Sequence, residues 1–347
     1  MSQLLPERRE ELSKEFPEII LLDVDDPEGL SAYLNSRGML GDDEVIRSAG
    51  LAGEGNMNLT LRVKTDRQRL ILKQSFPWVQ KYPQIDAPWD RIIREARFYG
   101  LTSENASVSS RTPKLFDLDI QSRIAILEDL GEAADFTTVY SGEAINPKDA
   151  ATLGDWLASL HLGDFDPNNR SALTNRDMRE LNHAHIFEIP LQSDNGLNLD
   201  TITPGLADAA KDLKSNEDYV KTVQNLGQTA YLEDGPTLLH GDYFPGSWLI
   251  TDQGIRIIDP EFCFFGKSEF DVGVALAHFA MSGQSGNVAE AFMLSYNAGE
   301  AFDMKLANQL AGVEIMRRLI GYGQLPLTAD LENKKALLKR SLELVLK

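Results

Sequence analysis

The residues best suited to chemistry lie between Leu238 and Gly273, in LLHGDYFPGSWLITDQGIRIIDPEFCFFGKSEFDVG. One carboxylate, Asp242, comes just after an apolar pair. A second acidic group, Asp259 with Glu261, follows seventeen residues on, at the end of the short β-like run Ile255 to Ile258. Gly246, Ser247 and a small hairpin (WLIT and GIRII around Asp252, Gln253 and Gly254) fill the space between them. A loop–hairpin–loop ending in carboxylates brings its two ends together. Phosphoryl transfer needs such an arrangement, with one aspartate orienting the acceptor hydroxyl and other acids holding Mg²⁺ on the nucleotide phosphates. The plainer alternative is a β-turn–β element with acidic ends, but HGD and IIDPE at this spacing rarely arise by accident.

Other elements must bring a nucleotide to those acids. From Gly50 to Gln74 the chain reads GLAGEGNMNLTLRVKTDRQRLILKQ. Leu59, Leu61 and Val63 alternate with Thr60 and Arg62 as in a half-buried strand, and RLILK is the next strand. Gly50, Gly53 and Gly55 form a glycine-bearing turn that lets backbone N–H groups approach phosphate oxygens. It is not a Walker A loop, since no GKS or GKT follows. Lys73 ends an apolar strand, where a lysine often snorkels; with glycines upstream and DPE downstream it reads as a phosphate ligand. Residues 75 to 88, with three prolines, read as a loop. Trp89 to Leu101 has helical spacing, and Glu95 in its middle reads either as a partner for Lys73 or as a surface glutamate among Arg91, Arg94 and Arg97. Ile124 to Leu127 reads as a third strand that opens through Glu128, Asp129, Leu130 and Gly131 into a hinge, whose backbone groups face an adenine edge.

The rest of the chain carries less chemistry. Residues 1 to 47 read as polar helical material with Leu30, Tyr33 and Leu34 on one face. From Pro147 onward the chain is mainly helical, with Asp149 to His161 capped by Gly163, a helix opening at Asp271, and two amphipathic helices over Lys305 to Gly321 and Ala329 to Leu346. Asp271 reads as an N-cap or loop anchor and His161 as a dipole partner at a helix C-terminus. His183 and His185 alternate, but no third ligand stands at a metal-site spacing. Arg317 and Arg318, near the end of one helix, are explained by surface solvation and dipole complementarity, or, since adjacent residues point in different directions, by one of them facing a cleft.

Composition narrows the function classes. At 347 residues, with 42% hydrophobic and 25% charged residues, the chain can bury two cores. A net charge of −19 repels nucleic acid and anionic membrane surfaces. The single cysteine, Cys263, excludes an internal disulfide and sits among phenylalanines as an inert buried thiol. The charged N-terminus lacks a signal-peptide core and no apolar run reaches a membrane span, so a cytoplasmic protein is expected.

In order, GEGN before a strand, LILK, a glutamate-bearing helix, LEDLG, HGDYFPGS and IDPEF resemble the aminoglycoside phosphotransferase and choline kinase superfamily, and within it the 5-methylthioribose kinases. The similarity runs from about residue 28 to the C-terminus. DPE, Ser247 where the wider superfamily commonly has Asn, and the twin arginine of MRRLIG point to the methylthioribose branch. The resemblance implies an α+β, bilobal protein-kinase-like fold: a small antiparallel-sheet N-lobe over 1–127, a hinge at 128–132 and a helical C-lobe over 133–347. It implies that Asn56 and Lys73 contact the nucleotide with Glu95 as the lysine's partner, and that Glu128, Asp129 and Leu130 line the adenine site. Asp242 would be the catalytic aspartate at the sugar hydroxyl. Ser247, Asp259 and Glu261 would hold Mg²⁺, and Arg317 and Arg318 would reach the substrate or the transferring phosphate. The implied reaction passes the γ-phosphoryl group of ATP to O1 of 5-methylthioribose, a methionine-salvage step, with a homodimer allowed. Phe244 stands where the family usually has a second histidine, and the chain is shorter than typical methylthioribose kinases. Both departures fall on the acceptor side. A kinase acting on an amino sugar or amino alcohol, or a nucleotide-binding pseudokinase, are the competing readings.

Overall fold

A computed structural model describes residues 4–53, 57–165, 170–297 and 299–347. The chain separates into two compact units: Met1–Ser103 with Thr112–Glu132, and Glu104–Arg111 with Ala133–Lys347. The first is a small antiparallel sheet with helices, the second mainly helical.

In the first unit five antiparallel strands run in the order Ile46–Leu51, Leu59–Thr65, Arg69–Gln74, Ile124–Glu128, Leu115–Asp119. The alternation of Leu59, Leu61 and Val63 puts all three in the core, beneath Leu30, Tyr33 and Leu34 of the helix Pro27–Ser36. Two strands of this sheet were not legible as strands. Ile46–Leu51 pairs with Leu59–Thr65 but is largely exposed, so it lacks a two-residue apolar period. Gly50 therefore lies within a strand, and the glycine turn joins two strands where the sequence pattern has it preceding a hairpin. Leu115–Asp119 is an edge strand of mixed polarity. Residues 75–88, expected as loop, include a short ribbon of Trp78–Val79 with Tyr82–Asp86. The helix Arg91–Thr102 buries Ile92, Ile93, Ala96 and Tyr99, and Glu95 with them.

In the second unit two antiparallel pairs are nested. Thr237–Leu239 pairs with Phe264–Gly266, ending at Leu239 opposite Phe264. Trp248–Thr251 pairs with Gly254–Ile257, beginning at Trp248 opposite Ile257. Residues 240–247 and 258–263 are the two loops between these ladders, so the loop–hairpin–loop does bring its acidic ends to one place. Helices Pro147–His161, Glu269–Met281, Gly286–Tyr296, Met304–Ile320 and Leu331–Leu346 supply the body of the unit. Asn146, Asp303 and Asp330 cap three of them by accepting backbone N–H groups. Pro147–His161 ends on Leu162 in right-handed conformation, where a Gly163 cap was expected. Residues 104–111 join this unit because Val108, Ser110 and Arg111 give their carbonyls to Trp156, Arg256 and Ile257. Among the described residues no helix is long and apolar enough to cross a membrane.

Candidate active site

In the first unit, Lys73 Nζ lies 2.7 Å from Glu95 Oε2, and both side chains are almost wholly buried. The pairing follows from local rules. Lys73 stands opposite Thr60 and Ala125 in the middle of the sheet, and Glu95 shares the inward stripe of its helix with Ile92 and Tyr99. Tyr99 donates its hydroxyl to Glu95 Oε1 at 3.3 Å. Asn56 lies outside the described residues. Gly53, just before it, adopts φ +76°, a conformation that glycine reaches at no steric cost.

At the end of Ile124–Glu128, Glu128 accepts from Lys114 N–H at 3.2 Å. The Asp129 carboxylate turns back into the sheet, 3.0 Å from Arg62 Nε, and accepts from Gly131 N–H at 3.0 Å. Its side chain therefore shapes the turn, and Leu130 beside it is half-buried.

In the second unit, Asp242 Oδ1 lies 3.3 Å from Arg318 Nη2 and 3.7 Å from Arg317 Nη2, with 23% of the Asp242 side chain exposed. Burial pushes its carboxyl above the usual range, and the Arg318 and Arg317 guanidiniums counter that only in part. The loop that carries it is fixed from several sides. Asp271 accepts the backbone N–H groups of His240 at 2.7 Å and Gly241 at 3.0 Å, the anchoring role its position allowed. His161 Nε2 meets the same carboxylate at 3.2 Å, so this histidine braces Asp271 as well as ending a helix. Gly241, at φ +84°, admits no side chain, because a Cβ would stand 2.2 Å from the Phe262 carbonyl oxygen. Tyr243 donates to the Leu153 carbonyl at 2.9 Å and stacks on Trp156.

The second acidic loop is tied to the first. Burial holds the His240 imidazole below its usual pKa, and the neutral ring donates through Nε2 to the Ile258 carbonyl at 2.9 Å. Ser247, fully buried, donates its hydroxyl to the Asp242 carbonyl at 2.9 Å and accepts Ile258 N–H at its own carbonyl. Asp259 adopts φ +63°, a left-handed conformation costly for a residue with a side chain, and such strain gathers at functional sites. Asn175 braces this turn by donating to the carbonyls of Glu261 and Cys263 at 3.0 and 3.1 Å. Mg²⁺ on a nucleotide takes one or two carboxylates and completes its shell with phosphate oxygens and water. Asp259 and Glu261, hard oxygen donors on one turn, suit that. Among the described residues, no group of three His, Cys, Asp or Glu is placed to hold a metal by itself. His183 stacks on Phe187 and His185 packs on Tyr322.

The second unit thus gathers Asp242, Ser247, Arg317 and Arg318 with the Asp259–Glu261 turn, and the first unit gathers Lys73 and Glu95. Sequence reasoning missed Glu314, whose carboxylate receives Arg318 Nε at 2.7 Å and Arg317 Nε as well. The signal was present, since an acid three and four residues before two arginines meets both on a helix.

A conserved-domain profile described as Phosphotransferase enzyme family matches residues 50–305, and the chain belongs to that family. Methylthioribose kinase of Cronobacter sakazakii is 27% identical over 267 residues, covering 72% of this chain and 64% of that protein, and the enzyme of that name from Yersinia pestis strain Pestoides F is 26% identical over 266 residues, covering 72% and 63%. The match therefore spans less than two thirds of those relatives. Among solved structures, a spectinomycin phosphotransferase, APH(9)-Ia, in complex with ADP and spectinomycin superposes with a TM-score of 0.52 at 16% identity, covering 87% of this chain and 93% of that one. A gentamicin complex of APH(2")-IIa gives 0.51 at 14% identity, covering 95% and 97%. The fold is that of the aminoglycoside phosphotransferases.

Proposed function

We propose that this protein is an ATP-dependent small-molecule kinase that transfers the γ-phosphoryl group to a sugar hydroxyl, O1 of 5-methylthioribose. The observation that carries the reading is the meeting of Asp242 with both Arg317 and Arg318 on a loop fixed by Asp271. A carboxylate there accepts the proton of an acceptor hydroxyl. Two guanidiniums beside it offset the negative charge that spreads over the phosphoryl oxygens in the transition state. Lys73, held by Glu95, bonds the nucleotide phosphates, and Asn56 contacts the nucleotide in the same reading. The backbone of Glu128, Asp129 and Leu130 reads the adenine. Asp259 and Glu261, with Ser247 at the base of the loop, would hold Mg²⁺, which supplies charge neutralisation on the phosphates when bound.

The choice of acceptor rests on the names of the relatives and on the arginines. A cationic amino sugar or amino alcohol calls for acids and aromatics where Arg317 and Arg318 stand. A cytoplasmic setting, with ATP at hand, belongs to the same reading. Coupled ADP release with Mg-ATP across ribose-like sugars, amino alcohols and aminoglycosides tests it. Turnover with methylthioribose above the others supports the reading, and turnover confined to cationic acceptors overturns the sugar assignment.

A further inference from the structure

Adjacent residues on a helix diverge by about 100°, yet Arg317 and Arg318 both bring Nη2 to the same oxygen of Asp242. Glu314 explains how. Its side chain is 2% exposed, and its oxygens take three donors: Arg318 Nε at 2.7 Å and His278 Nε2 at 3.0 Å on Oε1, and Arg317 Nε on Oε2. A planar guanidinium has five N–H donors, so one caught at Nε keeps N–H groups on its outer nitrogens for a second acceptor. The carboxylate is itself locked. His278 donates from Nε2 and accepts Tyr140 O–H at Nδ1 over 2.6 Å, so its tautomer is fixed. Phe244 closes the arrangement, with Arg318 Cζ 4.9 Å above its ring and the His278 ring 5.3 Å away.

We propose, resting on the phosphoryl-transfer reading, that Glu314 is a positioning residue that gathers Arg317 and Arg318 into one clamp aimed at Asp242, with His278, Tyr140 and Phe244 fixing its geometry. Its charge also balances one of the two guanidiniums, so that Asp242 is not left alone against both. Without it the arginines are free to diverge.

The test uses the full chain and the variants Glu314→Gln and Glu314→Asp, with kcat and KM for ATP and for the acceptor, and phenylglyoxal labelling of Arg317 and Arg318 read by peptide mass spectrometry. Glu314→Gln is expected to lower kcat about 10²-fold, as loss of a positioned charge-stabilising donor does, with KM for ATP within about twofold and faster labelling of both arginines. Glu314→Asp, which keeps the charge, recovers part of that kcat. If Glu314→Gln does not fold, His278→Gln removes only the lock and is expected to lower kcat and speed labelling to a smaller degree. Unchanged kcat in the variant that folds overturns the proposal, as does a kcat loss with unchanged labelling. Faster labelling alongside no transfer by the wild type to any acceptor supports the clamp and overturns the kinase reading alone.

Discussion

Lys73 and Glu95 meet at 2.7 Å in the interior of the first unit, both nearly inaccessible to water. A buried ion pair of this kind adds little net stability, but breaking it strands a charge. Glu95→Gln is therefore expected to cost about 3 kcal/mol in urea unfolding and to weaken ATP binding. The double replacement Lys73→Met with Glu95→Leu should recover most of the stability and none of the ATP affinity. Recovery of affinity in the double variant would show that the pair serves packing alone.

Acid should weaken the protein at a defined place. Burial lowers the His278 pKa from 6.5 to about 4, with Glu314 pulling the other way. Between those values the unfolded chain takes up a proton that the folded ring refuses, so stability falls as pH drops from 6.5 toward 4. The contribution is at most about 3 kcal/mol. For Glu314, burial raises the pKa, but Arg317, Arg318 and His278 together hold it well below the usual range, in the same sense at lower pH, while the raised carboxyl of Asp242 opposes both. Urea unfolding at several pH values should show a shallower slope for His278→Gln than for wild type. Equal slopes would contradict a buried neutral imidazole.

Asp271 holds two backbone N–H groups with its two oxygens. Asparagine offers one acceptor and two donors in that space, so one buried N–H loses its partner, at about 1–3 kcal/mol. Asp271→Asn should lower both the midpoint of unfolding and kcat, because the loop that carries Asp242 loosens. Loss of stability with full kcat would leave Asp271 a structural residue only.

Asp259→Asn removes one of two carboxylates from the strained turn. The expected result is a higher Mg²⁺ concentration for half-maximal activity, with partial recovery at saturating metal, measured by titrating Mg²⁺ at fixed ATP. A wild-type titration curve in this variant would remove Asp259 from the metal site.

Much of this was legible because it is local. The strand Leu59–Thr65 shows its period in Leu59, Leu61 and Val63, and the hairpin from Trp248 to Ile257 shows two apolar runs around Asp252 and Gln253. Lys73 and Glu95 were readable as partners only through the resemblance to kinase-like folds, since the residues alone left Glu95 equally a surface glutamate among Arg91, Arg94 and Arg97. The strands Ile46–Leu51 and Leu115–Asp119 were hidden because neither buries a clean alternating face. The direction of the Asp129 carboxylate, back toward Arg62, depends on side chains far off in the chain. Likewise the contact of Tyr140 with His278 joins residues 138 positions apart, and no spacing rule reaches that far. Glu314, by contrast, lies within reach of a helix rule, three and four residues before the two arginines it holds.

The most direct measurement of the central claim is the product itself. Purified protein, Mg-ATP and methylthioribose should yield a sugar carrying one added phosphoryl group, assigned to O1 by mass spectrometry and phosphorus NMR. Asp242→Asn, folded by circular dichroism, should form it at least about 10²-fold more slowly. No phosphorylated sugar from the wild type, or undiminished product from the folded Asp242→Asn variant, would contradict the account.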